Sequence, residues 1–167
     1  MTQLSAFQRR IHEEIPLSRA LGIELHSWDG SALLLSAPLE PNRNHQGTGF
    51  GGSVYSVAVT AAWGLTELAL ADLGLKGSVV VQTGSIDYLE PVSSDFYAIC
   101  RLPGDEIPER FRKSLARHGK GRLDLTTEVF CGPPNSLPQG DPVAVFQGRF
   151  VVQDARSRIM PQPRDED

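Results

Sequence analysis

The sequence predicts an α+β fold in which one antiparallel sheet of about six strands wraps a single long buried helix. Three observations lead there. The 167 residues keep one composition throughout, 40% apolar and 22% charged, which suits one domain with a substantial core. Residues 53–73 are apolar on most sides, and the small residues Ala58, Ala61, Ala62 and Gly64 allow close approach; a helix apolar nearly all round has to be covered nearly all round. Two strand-like stretches precede that helix and four follow it, so a single sheet has to fold about it.

In chain order, Leu4, Phe7, Ile11 and Ile15 recur at three- and four-residue steps, which places them on one face of a short amphipathic helix that Pro16 ends or interrupts. Residues 1–20 are expected to form a helical lid. The apolar runs 23–28 and 32–37 flank Asp29-Gly30, a strong signal for two strands joined by a two-residue hairpin turn. Residues 40–52, rich in Pro, Asn, Gly and His, read as a loop delivered onto the long helix at Gly51-Gly52. Beyond that helix Gly74 and Gly77 punctuate the chain, and 78–89, 95–102, 121–131 and 143–153 read as four more strands, rich in β-branched and aromatic residues. Ile107, Phe111 and Leu115 set a further helix at 108–118 with basic residues on its other side. The domain is expected to span 1–154, with 155–167 a flexible tail. A lone sheet cannot cover the long helix completely; the leftover apolar surface and open edges predict a homodimer, with a dimer of dimers as an extension of it.

Composition removes several function classes. Sixteen basic residues against twenty acidic ones give a net charge of −4, unlike the basic footprint of a nucleic-acid binder. Cys100 and Cys131 lie in apolar stretches without CxxC or Cys/His spacing, so they read as buried hydrophobes in a reducing compartment, and no metal site or cofactor is expected. Arg9, Arg10, Glu13 and Glu14 interrupt the N-terminal stretch, which lacks the apolar core of a signal peptide, and a cytoplasmic location is expected. Residues 52–75 include Ser53, Ser56, Thr60, Glu67 and Asp72; centring Glu67 in a bilayer would cost about 3 kcal/mol or more, so a buried helix is expected rather than a membrane span. There is no GxxxxGKS/T loop and no GxGxxG after a strand, which disfavours phosphoryl-transfer and dinucleotide chemistry.

The stretch that carries chemistry is Asn44-His45-Gln46-Gly47-Thr48-Gly49-Phe50-Gly51-Gly52-Ser53. It places polar groups and glycines at a helix N-terminus, where four backbone N–H groups have no internal partner and roughly half an elementary positive charge favours a developing anion. On the same helix Ser53, Ser56, Thr60, Gly64 and Glu67 form a polar stripe, and on the third strand Thr83, Ser85 and Asp87 share one face.

The order of elements, over roughly residues 16–152, resembles the hotdog fold of acyl-thioesterases. Three local matches carry the likeness: Ile15-Pro16-Leu17 to Leu21-Gly22-Ile23, Asn44-x-x-Gly47-Thr48-x-Phe50-Gly51-Gly52, and Ile86-Asp87-Tyr88-Leu89-Glu90-Pro91. More narrowly, residues 47–55 together with Ala61-Ala62-Trp63-Gly64 look like the thioesterase domain found C-terminal to an acetyltransferase in some bacterial proteins. The resemblance implies a thioester substrate of coenzyme A or of the phosphopantetheine of an acyl carrier protein, with the carbonyl oxygen bound by Asn44 and the Gly51 N–H. His45, Phe50, Gly52 and Ser53 would line the substrate.

The sequence departs from the family in one respect that matters. Related thioesterases place His where Phe50 stands and an acidic residue where this chain has Val59, and neither Val59 nor Phe50 can activate water. Thr60, next to that position, is one candidate for holding the water; Asp87, reaching across a dimer interface, is a second; His45 as base is a third. The non-catalytic alternatives are a Thr60 satisfied by its own helix, a structural Glu67 and a solvated Asp87. Between 101 and 122, seven basic residues stand against Asp105, Glu106 and Glu109; Arg112 and Lys113 are therefore candidates for the phosphates of coenzyme A or an acidic carrier protein, although a solvated helix face has the same look. A non-catalytic acyl-thioester binding module is the competing reading, favoured by Val59, and a hotdog dehydratase would need a His and acid pair that the helix does not offer.

Overall fold

A computed structural model describes residues 2–154; the expected tail at 155–167 lies outside the described residues. Two helices come first, α1 (Gln3–Glu14) and α2 (Pro16–Ala20), then β1 (Glu24–Trp28), β2 (Ala32–Ala37), α3 (Gly51–Asp72), β3 (Gly77–Tyr88), β4 (Phe96–Arg101), α4 (Glu109–His118), β5 (Lys120–Cys131) and β6 (Ala144–Asp154). The strands make one six-stranded sheet in the order β1-β2-β4-β5-β6-β3, with every pair antiparallel. α3 packs against β2, β3, β4, β5 and β6, so the sheet curls around it as the sequence predicts. Its inward residues Val54, Val57, Ala58, Ala61, Ala62 and Leu65 are buried against Leu33, Leu35, Phe96, Ala98, Val129, Phe146 and Phe150. α3 is long and apolar enough to cross a membrane, but its apolar surface is spent on the sheet.

The N-terminal helix forms where the spacing predicts, with Phe7 and Ile11 buried. The Thr2 hydroxyl caps it by accepting from the Ser5 N–H. Pro16 does more than stop α1: it stands at the first turn of α2, where its missing N–H costs nothing. Phe7 stacks on Trp63 with centroids 5.9 Å apart, and Arg10 pairs with Glu67 at 2.5 Å. Glu67 is thereby a tie between α1 and α3, as the structural alternative has it.

The first hairpin differs from the two-residue turn expected at Asp29-Gly30. Asp29, Gly30 and Ser31 all lie outside the strands. The Asp29 carboxylate accepts from the backbone N–H groups of Ser31 and Ala32 at 2.8 and 2.7 Å, and Gly30 takes φ of +95°. Closure by the aspartate side chain replaces the tight primed turn because this Asx interaction supplies the hydrogen bonds that such a turn would make.

β3 holds the second departure. Its ladder with β6 slips between Val81 and Thr83, a bulge that reverses the alternation of faces. Val79 and Val81 face α3 before it; Gly84, against the Tyr55 hydroxyl, Ile86 and Tyr88 face α3 after it. Thr83, Ser85 and Asp87 do share a face, but it is the outer one, where Thr83 and Ser85 lie beside Asp124, Gln147 and Arg149. Near the centre of the sheet, on β4, the Cys100 thiol lies beside Thr127, and burial pushes its pKa up to about 12.

Candidate active site

The loop ahead of α3 is built on asparagines. Asn42, 1% exposed, donates its side-chain amide to the carbonyls of Leu21 and Pro38, each at 2.7 Å, and its own carbonyl accepts from the Phe50 N–H at 2.7 Å. This residue, which the sequence analysis did not single out, moors the loop to the start of β1 and to the end of β2. Asn44 organises the next turn: its Oδ1 accepts from the N–H groups of Gln46 and Thr48 at 2.8 and 3.2 Å, and its Nδ2 donates to the Thr48 hydroxyl at 3.0 Å. Gly49 N–H then donates to Val92 O at 2.7 Å, which closes the loop against the segment after β3.

The chain enters α3 at Phe50, which is 57% exposed and gives the helix no side-chain cap. The helical ladder starts with Val54 N–H donating to Phe50 O at 3.0 Å. The N–H groups of Gly51, Gly52 and Ser53 therefore have no partner within the helix, and no acidic side chain occupies the first turn. The exposed Phe50 ring lies over Gly52, where a Cβ would sit 2.5 Å from Cε1, so a side chain at 52 would push the ring aside. From β3, Tyr88 donates its hydroxyl to Gly51 O at 2.7 Å. Burial, with the nearby Tyr55 phenol adding to it, raises the pKa of Tyr88, so the phenol keeps its proton and stays a donor at neutral pH.

Two clefts lie along this end of α3, one at the first turn and one that starts about a turn further on, at Ser56. One, of about 350 Å³, is lined by Thr48, Gly49, Gly51, Tyr88 and Glu90. The other, of about 250 Å³, is almost wholly apolar and runs between α2 and α3, past Leu17, Ser56, Val59, Thr60, Trp63 and Val81. With 3.6 residues per turn, Gly51 and Val54 point well away from the Ser56, Val59 and Trp63 side of α3, so the clefts lie on different flanks of one helix end. An anion placed at the first turn would meet three unpartnered N–H groups and the positive end of the helix dipole, with the apolar cleft on one side and, on the other, a cleft where Thr48, Tyr88 and Glu90 stand among Val54, Leu89, Pro91 and Val92.

The structure brings together Gly51, Gly52, Ser53 and Phe50, and sets Asn44 and exposed His45 in the adjoining loop. Thr60 lines the apolar cleft, its hydroxyl donating to Ser56 O at 2.7 Å as in the bland alternative. Asp87 is exposed and alternates with Ile86 and Tyr88, so it points to the outer face of the sheet. Arg112 and Lys113 sit on α4, both beside Glu109, at 3.9 and 3.3 Å. α4 packs at the Lys120 end of β5, next to the Gly77 end of β3, so the length of α3, about 33 Å, separates it from Gly51 within one protomer. Tyr88 was quoted in the sequence motif but given no role; its part follows from the bulge, which no local pattern announces. No group of His, Cys, Asp and Glu among the described residues is disposed to hold a metal ion.

Comparison with known proteins agrees with this architecture. Residues 4–154 match the family described as "Putative thioesterase (yiiD_Cterm)". A protein of unknown function from Chlorobaculum tepidum is 31% identical, with a TM-score of 0.81 over 90% of this chain and 93% of that one. A thioesterase structure from Shewanella oneidensis, described there as putative, is 30% identical with a TM-score of 0.76, covering 90% and 96%. A thioesterase from Haemophilus influenzae, at 14% identity and a TM-score of 0.72 over 96% of both chains, shares the fold. The chain thus belongs to this thioesterase family, with the hotdog fold and the thioester-hydrolase activity that membership carries.

Proposed function

We propose that the protein hydrolyses an acyl thioester of coenzyme A or of an acyl carrier protein, holding the thioester oxygen at the first turn of α3 and the acyl group in the apolar cleft beside Ser56, Thr60 and Trp63. The observation that carries this reading is the uncapped Gly51-Gly52-Ser53 turn about one helical turn ahead of that cleft, with the Ser56 hydroxyl donating to Gly52 O between them. Donors fixed before the reaction stabilise the oxyanion without reorganisation, and losing one commonly costs about 3 kcal/mol of barrier. Asn44 supplies a second donor by turning its amide from Thr48 to the oxygen. α2, with Ile15 and Leu21 at its ends, forms the cover of the acyl cleft, and coenzyme A or phosphopantetheine enters only as part of the substrate.

The working unit in this reading is a cytoplasmic homodimer, with a dimer of dimers as its extension. β3 ends the sheet with its outer side unpaired among the described residues and with Val80 and Val81 exposed. A second copy added antiparallel there would bring the Gly77 end of one β3 beside the Tyr88 end of the other. That would carry α4 of the second copy, with its Arg112 and Lys113, toward the first turn of α3, where phosphates of coenzyme A or an acidic carrier protein could engage them.

The test is thiol release from a panel of short, medium, long and aromatic acyl-coenzyme A and acyl-carrier-protein thioesters, by the wild type and by Asn44→Asp. The aspartate keeps an acceptor for Gln46 and Thr48 but removes the amide donor and adds a repelling charge, so turnover should fall about a hundredfold or more while the melting temperature holds. Unchanged turnover removes Asn44 from the site. The apolar Val59 in the acyl cleft supports the second reading, a binding module, which wins if the wild type binds these thioesters and releases no thiol.

A further inference from the structure

Position 59 of α3 offers no carboxylate and Asp87 faces away, yet the cleft at the first turn does hold one. Glu90 lines it together with Thr48, Gly51 and Tyr88. Its backbone is fixed: the N–H groups of Leu89 and Glu90 both donate to Val143 O, at 2.8 and 3.0 Å, and Pro91 confines the residue before it to extended conformations. The Tyr88 hydroxyl ties the end of this strand to Gly51 O, so Glu90 is held in register with the turn that would bind the thioester oxygen. The cleft is also on the opposite flank from the apolar one, which leaves room for water on one side of a bound carbonyl and the acyl group on the other.

We infer that Glu90 is the general base of the reaction, an inference that rests on the hydrolase reading above. The carboxylate takes a proton from a water molecule in the 350 Å³ cleft as the water oxygen bonds to the thioester carbon. The electron pair of the carbonyl moves onto its oxygen at the Gly51, Gly52 and Ser53 N–H groups. Collapse of the adduct breaks the carbon–sulfur bond; the thiolate leaves and receives the proton from Glu90, so that water and thioester become a carboxylic acid and a thiol. Tyr88 is a positioning residue in this scheme, acting through Gly51 and the strand end.

The experiment measures thiol release as a function of pH for the wild type, Glu90→Gln, Glu90→Asp and the surface control Glu13→Gln, with thermal melts for each. Glu90→Gln should lower kcat about a hundredfold or more, leave KM within about twofold, and flatten the acid side of the pH–rate profile relative to the wild type. Glu90→Asp should restore part of the rate together with the acid limb, and Glu13→Gln should match the wild type. A wild type that hydrolyses thioesters alongside an equally active Glu90→Gln overturns this inference and leaves the hydrolase reading standing. A wild type that binds thioesters without releasing thiol overturns both.

Discussion

The two edges of the sheet are built to opposite ends. β1 has five residues, its pairing with β2 slips between Leu25 and Ser27, and α1 packs across it. The Gln8 side chain accepts from Leu25 N–H at 2.8 Å, so even an edge amide is satisfied from the helix. Both edge strands carry a bulge; short length and a covering helix are the further devices by which β1 is kept from recruiting another chain. β3 is twelve residues long, carries exposed Val80 and Val81, and has no helix over its open side. The homodimer proposed above uses this second, bare edge for pairing, and the candidate active site lies at its end, where Tyr88 meets Gly51.

The largest expected effect comes from giving β3 the protection that β1 has. Val80→Lys places a charge on the open edge without touching the acyl cleft; for the proposed dimer, sedimentation equilibrium should show twice 18.2 kDa for the wild type and a single chain for the variant. A variant that stays dimeric would move the interface elsewhere. Tyr88→Phe tests the end of the same strand. Losing the bond to Gly51 O should cost about 1 kcal/mol, seen as a five- to tenfold lower kcat with the dimer intact. Because the folded pKa of Tyr88 lies above its ordinary value of 10, the stability it supplies is complete below about pH 10 and is lost as pH rises through the higher folded value; the phenylalanine variant should lack this alkaline loss in a melting series.

The smallest effect belongs to the protected edge. Asp29→Ala removes the acceptor that closes the β1–β2 loop and should lower the melting temperature by about 3 °C without changing mass or activity. Burial works against ionisation of this carboxylate, but its bonds from Ser31 and Ala32 outweigh that and hold its pKa below 3.8. Its contribution is therefore present above about pH 4 and lost as pH falls through the lower folded value.

What was legible in the sequence is what depends on periodicity. The apolar surround of residues 53–73 announced α3, and β-branched runs placed all six strands within a residue or two of their ends. The spacing of Ile107, Phe111 and Leu115 found α4, on which Phe111 and Leu115 are buried. Details set by side chains acting on a distant backbone were not legible. The Asn42 amide finds Leu21 and Pro38, one of them twenty-one positions away, and nothing in the local pattern separates it from Asn44. The bulge after Val81 redirects every later residue of β3, so a reading that correctly put Thr83, Ser85 and Asp87 on one face could not say which face that was, and Tyr88 was given no role. At the first turn of α3, glycines could be read as an opening; which carboxylate stands near them was a matter of tertiary placement.

Cys100 gives the fold a timer of its own. Thiol reagents attack the thiolate, and with burial pushing its pKa up to about 12 this side chain supplies very little thiolate near pH 8 even before access is considered. In the closed sheet, half-buried Cys131 is the thiol that such a reagent meets. Cys100 becomes reactive when β4 parts from β5, so the slow phase of labelling measures how often the centre of the sheet opens. The same reagent that counts thiols freed from substrate thus records, on a longer clock, the lifetime of the native state.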